Sequence, residues 1–217
     1  HGVINLETAH QMVAVLTGRK PLAFARVTGQ DAWLLKQALD LGVHGVVVPF
    51  VNSAAEAAAV VRACRYPPLG IRGLSCQFAA ARWQMSVAEY VKASDSEILV
   101  AVQVETPESV DAIEEIAQVP GLDMIFVGPA DLSATCGHPL NSAHPDVERR
   151  IAHVAGTARR AGIALGTVAR TPEEVRHRVE QGFGFLVVAA DTGLLLQAAR
   201  DKLSGIQAAL AGAVVAK

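Results

Sequence analysis

Two acidic residues in this chain sit where strands should end. Met124 to Leu132 reads Met-Ile-Phe-Val-Gly-Pro-Ala-Asp-Leu. Ile125, Phe126 and Val127 are apolar and strand-prone, and Gly128-Pro129 breaks the strand. Ala130 and Asp131 then fall at a helix start, where free N–H groups attract anions such as a carboxylate. Upstream, Ile98 to Val104 reads as another strand and ends at Glu105-Thr106-Pro107. Two parallel strands would each deliver one carboxylate to the same end of a sheet. Hard oxygen ligands beside an anion-binding turn suit Mg²⁺ or Mn²⁺ and a substrate acid. The competing reading makes Asp131 a helix N-cap and Glu105 a surface charge.

The remaining elements must position that pair. Helical spacing appears over Thr8–Leu16, with Gly18 as a stop, and Pro21 opens a strand over Leu22–Arg26. Asp31 caps a helix closed by Gly42, and Gly45–Pro49 is a valine-rich strand. Ser53 caps an Ala-rich helix to about Cys64. Tyr66–Gly73 is too rich in Pro and Gly for a regular element, and Arg82–Val91 reads as a short helix. Thr106-Pro107-Glu108 starts a helix that runs to about Gln118. After the Met124 strand come a loop at Gly137–His144, a helix over Pro145–Ala161 and a strand at Ala164–Val168. Thr171–Glu174 is a capping box, Phe185–Ala189 the last strand, and Asp191 caps a helix running to the end.

Buried apolar strands alternating with helices predict an α/β fold with a parallel sheet covered on both faces. No linker or change in composition divides residues 1–217, which read as one domain. The choice lies between an open doubly wound sheet and a (β/α)₈ TIM barrel. A barrel typically takes about 250 residues, and two βα units are missing from the 217 present. No G-x-G-x-x-G follows a strand, which weighs against a dinucleotide, and the last two turns lack a Gly-rich phosphate loop. In a barrel the active site lies at the C-terminal strand ends, where Arg26, Glu105, Asp131, Arg170 and Asp191 fall.

A net charge of −2 without a basic run speaks against nucleic acid or an anionic membrane surface. No apolar run approaches a membrane span and no signal peptide is visible, so a cytoplasmic location is expected. Cys64, Cys76 and Cys136 form no CxxC pair and suit a reducing compartment.

Four stretches carry a resemblance over nearly the whole chain. They are Leu41-Gly42 with Val48-Pro49-Phe50-Val51, Arg65 to Gly73, Val102-Gln103-Val104-Glu105-Thr106, and Phe126 to Ser133. In this order they resemble the HpcH/HpaI aldolase family, metal-dependent pyruvate aldolases acting on 4-hydroxy-2-oxo acids. The resemblance implies reversible cleavage to pyruvate and an aldehyde, with Mg²⁺, Mn²⁺ or Co²⁺ held by Glu105 and Asp131. It implies that Gly128, Pro129, Ala130 and Asp131 hold the pyruvate carboxylate and that Arg26 stabilises the enolate oxygen. Gln103 would neighbour the metal and contact substrate, and His1 would be the acid/base; Val168, by its place at a strand end, is expected to shape the aldehyde pocket. It also implies a barrel lacking its first two strands, a homo-oligomer such as a hexamer with the last helix exchanged, and a setting such as aromatic compound catabolism. An acyl-CoA lyase of the citrate-lyase-beta type, or a non-catalytic oligomeric barrel, is the alternative.

Plainer roles stand beside these. Arg26 could form a surface ion pair, Gln103 could satisfy barrel backbone groups, and Val168 could be core. Arg72 is expected to brace its loop through carbonyls. Arg82-Trp83 either lines the aldehyde end or makes a packing or subunit contact. Lys20, Lys36, Lys92, Lys202 and Lys217 fall in loops or helices, which disfavours a Schiff-base route.

Overall fold

A computed structural model describes residues 4–215, with side chains to residue 210. Asn5 accepts a hydrogen bond from the Thr8 N–H and so starts α1 at Leu6–Ala14, two residues before the spacing predicts. There follow β1 (Phe24–Arg26), α2 (Ala32–Asp40, capped by Asp31), β2 (Gly45–Val48) and α3 (Ala54–Cys64, capped by Ser53). The helix expected over Arg82–Val91 is instead two helices, α4 (Gln77–Arg82) and α5 (Val87–Glu97). Ser86 and Glu89 form a capping box that restarts the chain between them.

Next come β3 (Leu99–Val104), α6 (Pro107–Asp111) and α7 (Ile113–Ile116). The single helix predicted to Gln118 is thus broken at Ala112. Thr106 caps α6 as expected. Then follow β4 (Met124–Val127), α8 (Pro129–Thr135), α9 (Pro145–Ala161), β5 (Ala164–Val168) and α10 (Pro172–Glu180, with the Thr171–Glu174 capping box). Last are β6 (Phe185–Val187) and α11 (Asp191–Val215).

The six strands are all parallel and lie in sequence order. Residues alternate between the two faces of each strand. The outer face packs Val46, Val48, Val100, Val102, Ile125 and Val127 beneath helices that contribute Leu35, Val60, Ile113, Leu132, Ile151 and Val154. The inner face gathers Val47, Ala101, Met124 and Phe126, with Leu99, Val168 and Phe185 against them. β1 and β6 share no hydrogen bonds, yet Phe24 meets Phe185 edge to face at 5.3 Å. The sheet therefore curls until its outermost strands touch through their side chains. Gly166 permits this filling, because a Cβ there would lie 2.7 Å from the Phe126 ring.

The N-terminal strand ends are clamped by charge. Arg65 donates to the Ile98 carbonyl at 3.0 Å and pairs with Asp123 at 3.3 Å, and Asp123 also accepts from the Val100 N–H. Trp83 stacks on His44 just before β2 and donates to the Gly42 carbonyl. Its place is this end of the sheet, so it does not line the aldehyde end; within the chain it packs on His44 and Tyr90. Arg72 braces its loop, as expected, but through side chains. It donates to Asp40 and Tyr90 and lies over the Tyr66 ring.

Candidate active site

The opposite, C-terminal edge gathers most of the polar residues singled out in the sequence. β3 and β4 are neighbours, with Val104 opposite Val127, so the residues that follow them, Glu105 and Gly128, come side by side. Arg26 ends β1. Gln103 and Glu105 are two apart on an extended chain, so their side chains share a face. Arg26 Nε donates to Gln103 Oε1 at 2.9 Å, and Gln103 Nε2 donates to Glu105 Oε2 at 2.9 Å. One amide side chain thus links a cation to a carboxylate.

Glu105 is wholly buried. Its other oxygen, Oε1, accepts from the Phe50 N–H at 2.9 Å, and its carbonyl accepts from the Thr135 hydroxyl. The Ser109 hydroxyl accepts from the N–H groups of Glu105 and Thr106. Burial pushes the Glu105 carboxyl above its ordinary range; the Phe50 N–H and Arg26 pull it down, while the charge of Asp131 raises it further. Asp131 lies half-buried in the first turn of α8. It is not the N-cap, which is Gly128 with no side-chain cap.

The donor set suits a hard divalent cation. The charge of Asp131 raises the cost of ionising Glu105, a cost that a nearby positive ion would offset, and carboxylate oxygens are the ligands that Mg²⁺ and Mn²⁺ take. Among the described residues no group of three or more His, Cys, Asp or Glu forms a metal cluster. Gly128 keeps the space clear, since a Cβ there would collide with Glu105 Oε2.

A cleft of about 440 Å³ adjoins this edge. Pro129 and Ala130 from α8 and Val168 from β5 line it, together with Arg170, Glu148, His177 and Arg178. Thus Arg26, Gln103, Glu105, Gly128, Pro129, Ala130, Asp131 and Val168 converge at one end of the sheet. Asp191 is the first residue of α11, its side chain accepting from the Thr192 N–H. His1 lies outside the described residues. Phe50, Ser109 and Thr135 also reach Glu105, and only the Thr-Pro-Glu-Ser cap around Ser109 signals this in the sequence. No described lysine lies on a strand. No described helix is long and apolar enough to cross a membrane.

Comparison with known proteins places these residues in context. A family profile described as HpcH/HpaI aldolase/citrate lyase matches residues 5–198. The 2-dehydro-3,6-dideoxy-6-sulfogluconate aldolase of Pseudomonas putida is 40% identical over 92% of this chain and 77% of its own length. A hydroxypyruvate/pyruvate aldolase of Pseudomonas aeruginosa is 43% identical over 79% of this chain, which spans 64% of that relative's length. The crystal structure of an HpcH/HpaI aldolase/citrate lyase family protein from Burkholderia cenocepacia J2315 superposes with a TM-score of 0.85 at 33% identity, covering 94% of this chain and 81% of that one.

Proposed function

The chain belongs to the HpcH/HpaI aldolase/citrate lyase family, and we propose that it is a divalent-metal-dependent pyruvate aldolase, a carbon–carbon lyase cleaving 4-hydroxy-2-oxo acids to pyruvate and an aldehyde. The observation that carries this reading is the Arg26–Gln103–Glu105 chain of hydrogen bonds beside Asp131. The similar proteins named as aldolases support it. We read the curled sheet as six strands of a (β/α)₈ barrel.

Glu105 and Asp131 hold the cation. When bound, Mg²⁺, Mn²⁺ or Co²⁺ supplies Lewis-acid stabilisation of negative charge on the pyruvate fragment. Arg26 places a fixed positive charge near the same oxygens, where charge develops as the carbon–carbon bond breaks. Gln103 holds that guanidinium still, which removes a reorganisation cost at the moment of reaction. The Ala130 and Asp131 amides at the start of α8, with Gly128 and Pro129 shaping the turn, take the substrate carboxylate. Val168 faces the aldehyde portion from the cleft. A histidine suits proton transfer from the 4-hydroxyl near neutral pH, and His1 is assigned to it by resemblance.

Helix α11 leaves Leu194, Leu195, Leu203 and Ile206 exposed. We place them at a contact between copies in a homo-oligomer of the hexameric kind, checked by light scattering. The test of function is pyruvate release from a racemic 4-hydroxy-2-oxo acid before and after chelation, with each metal added back. Release that disappears with chelator, returns with metal and is absent in Glu105→Ala is the expected result. Release indifferent to chelation, or intact in Glu105→Ala, would overturn the proposal.

A further inference from the structure

The loop between β2 and α3 touches the site through a backbone group. Phe50 sits at φ 53°, a left-handed conformation that L side chains avoid. The residue is 42% exposed, so packing alone does not impose that shape. Hydrogen bonds hold both of its peptide groups. Its N–H donates to Glu105 Oε1 at 2.9 Å, and its carbonyl accepts from Gln30 Nε2 at 2.7 Å.

Gln30 is itself anchored. The same Nε2 lies 3.5 Å from Glu56 Oε2, which also accepts from the Asn52 N–H at 2.7 Å. Asn52 Oδ1 in turn accepts from the Thr106 hydroxyl at 2.7 Å, one residue beyond Glu105. The contacts close a ring that runs from Glu105 through Phe50, Gln30, Glu56 and Asn52 to Thr106.

We propose that Gln30 is a positioning residue for the metal-binding carboxylate: anchored on Glu56, it holds Phe50 in the left-handed conformation, so that the Phe50 N–H fixes Glu105 Oε1. The inference rests on Glu105 being a metal ligand. Partners that orient a ligand typically change metal affinity by about 10–100-fold when removed, and Gln30 acts one residue further out. Its loss is therefore expected at the lower end, about tenfold.

The test is Mn²⁺ binding by calorimetry to the parent protein, Glu105→Ala, Gln30→Met, Phe50→Gly and the double variant Gln30→Met with Phe50→Gly. Methionine keeps the length of glutamine and cannot donate. The expected result is an affinity about tenfold weaker in Gln30→Met. In the Phe50→Gly background the same change costs much less, because glycine adopts the left-handed region without a steric penalty. A general structural role for Gln30 would not show that rescue. Equal Mn²⁺ affinity in parent and Gln30→Met overturns the inference, and so does an undiminished loss in the glycine background. A parent that binds Mn²⁺ no better than Glu105→Ala fails at the earlier step and removes the metal reading itself. Should circular dichroism show Gln30→Met unfolded, Gln30→Asn, which withdraws the amide from the Phe50 carbonyl, is read in the same way.

Discussion

Gly128→Ala tests the packing of the site without disturbing the backbone. Gly128 has φ −96°, which any residue adopts, so alanine brings no conformational strain. The added methyl would collide with Glu105 Oε2, and would lie 3.1 Å from Glu105 Cβ and 3.3 Å from Gln103 Nε2. Oε2 is the oxygen that accepts the Gln103 hydrogen bond. To make room the carboxylate must turn away, and that bond stretches or breaks. A hydrogen bond to a charged group contributes about 1.5–3 kcal/mol, and each 1.36 kcal/mol is about tenfold in rate. The expected fall in kcat/KM for metal-dependent pyruvate release is therefore about 10–150-fold. Overpacking adds a stability cost of about 1–3 kcal/mol, or a melting temperature lower by about 2–12 °C for a chain of this size. Steady-state kinetics with Mn²⁺ and a calorimetric melt measure both. An alanine variant within about twofold of the parent in kcat/KM and with an unchanged melt would show that Gly128 does not abut the working carboxylate.

Three further changes have defined outcomes. Gln103→Leu severs Arg26 from Glu105 and is expected to lower kcat about tenfold or more while KM moves little; a fall in KM affinity alone would assign Gln103 to substrate binding. Val168→Ala enlarges the cleft wall, and competition between a bulky and a small aldehyde is expected to shift about tenfold or more toward the bulky one, whereas an unchanged ratio would return Val168 to the core. Glu148 takes two hydrogen bonds from Arg178, at 2.6 and 2.8 Å. Burial raises its carboxyl pKa, but the bonds and charges of Arg178 and, after it, His177 outweigh this and leave it below the ordinary value of 4.5. Its stabilisation is thus full above the unfolded value and lost as pH falls through the folded one. Melting curves between pH 6 and pH 3 should steepen their decline below about 4.5, and Glu148→Gln should flatten that added decline; an identical pH profile in the variant would assign the acid sensitivity to other carboxylates.

Much of this site is legible from strand logic. Glu105 directly follows β3 and Asp131 lies in the first helical turn after β4, so the pairing of β3 with β4 brings both carboxylates to one edge. The two-residue spacing of Gln103 and Glu105 puts both side chains on one face. The Thr-Pro-Glu starts are read correctly at both Thr106 and Thr171, because capping is a local property. What fails to show depends on tertiary contacts. Phe50 adopts φ 53° with no Gly or Asn to announce it, since distant Gln30 and Glu105 hold its peptide groups. Arg82 ends a helix rather than starting one, because the Ser86–Glu89 capping box opens the next helix four residues further along. Trp83 goes to the far end of the sheet because its ring finds His44 and Tyr90 there, which linear order does not reveal.

The division of labour among strands has an evolutionary consequence. The groups assigned to the metal and the pyruvate portion follow β1, β3 and β4, whereas the cleft wall assigned to the aldehyde portion is carried by β5, α9 and α10. Substitutions in the second set can accumulate without displacing Glu105 or Asp131. A lineage can then explore new aldehydes as drift in one module while the bond-breaking module stays under purifying selection. Gene duplicates of such a protein would diverge first around Val168 and Arg170 and last around Gln103 and Gly128.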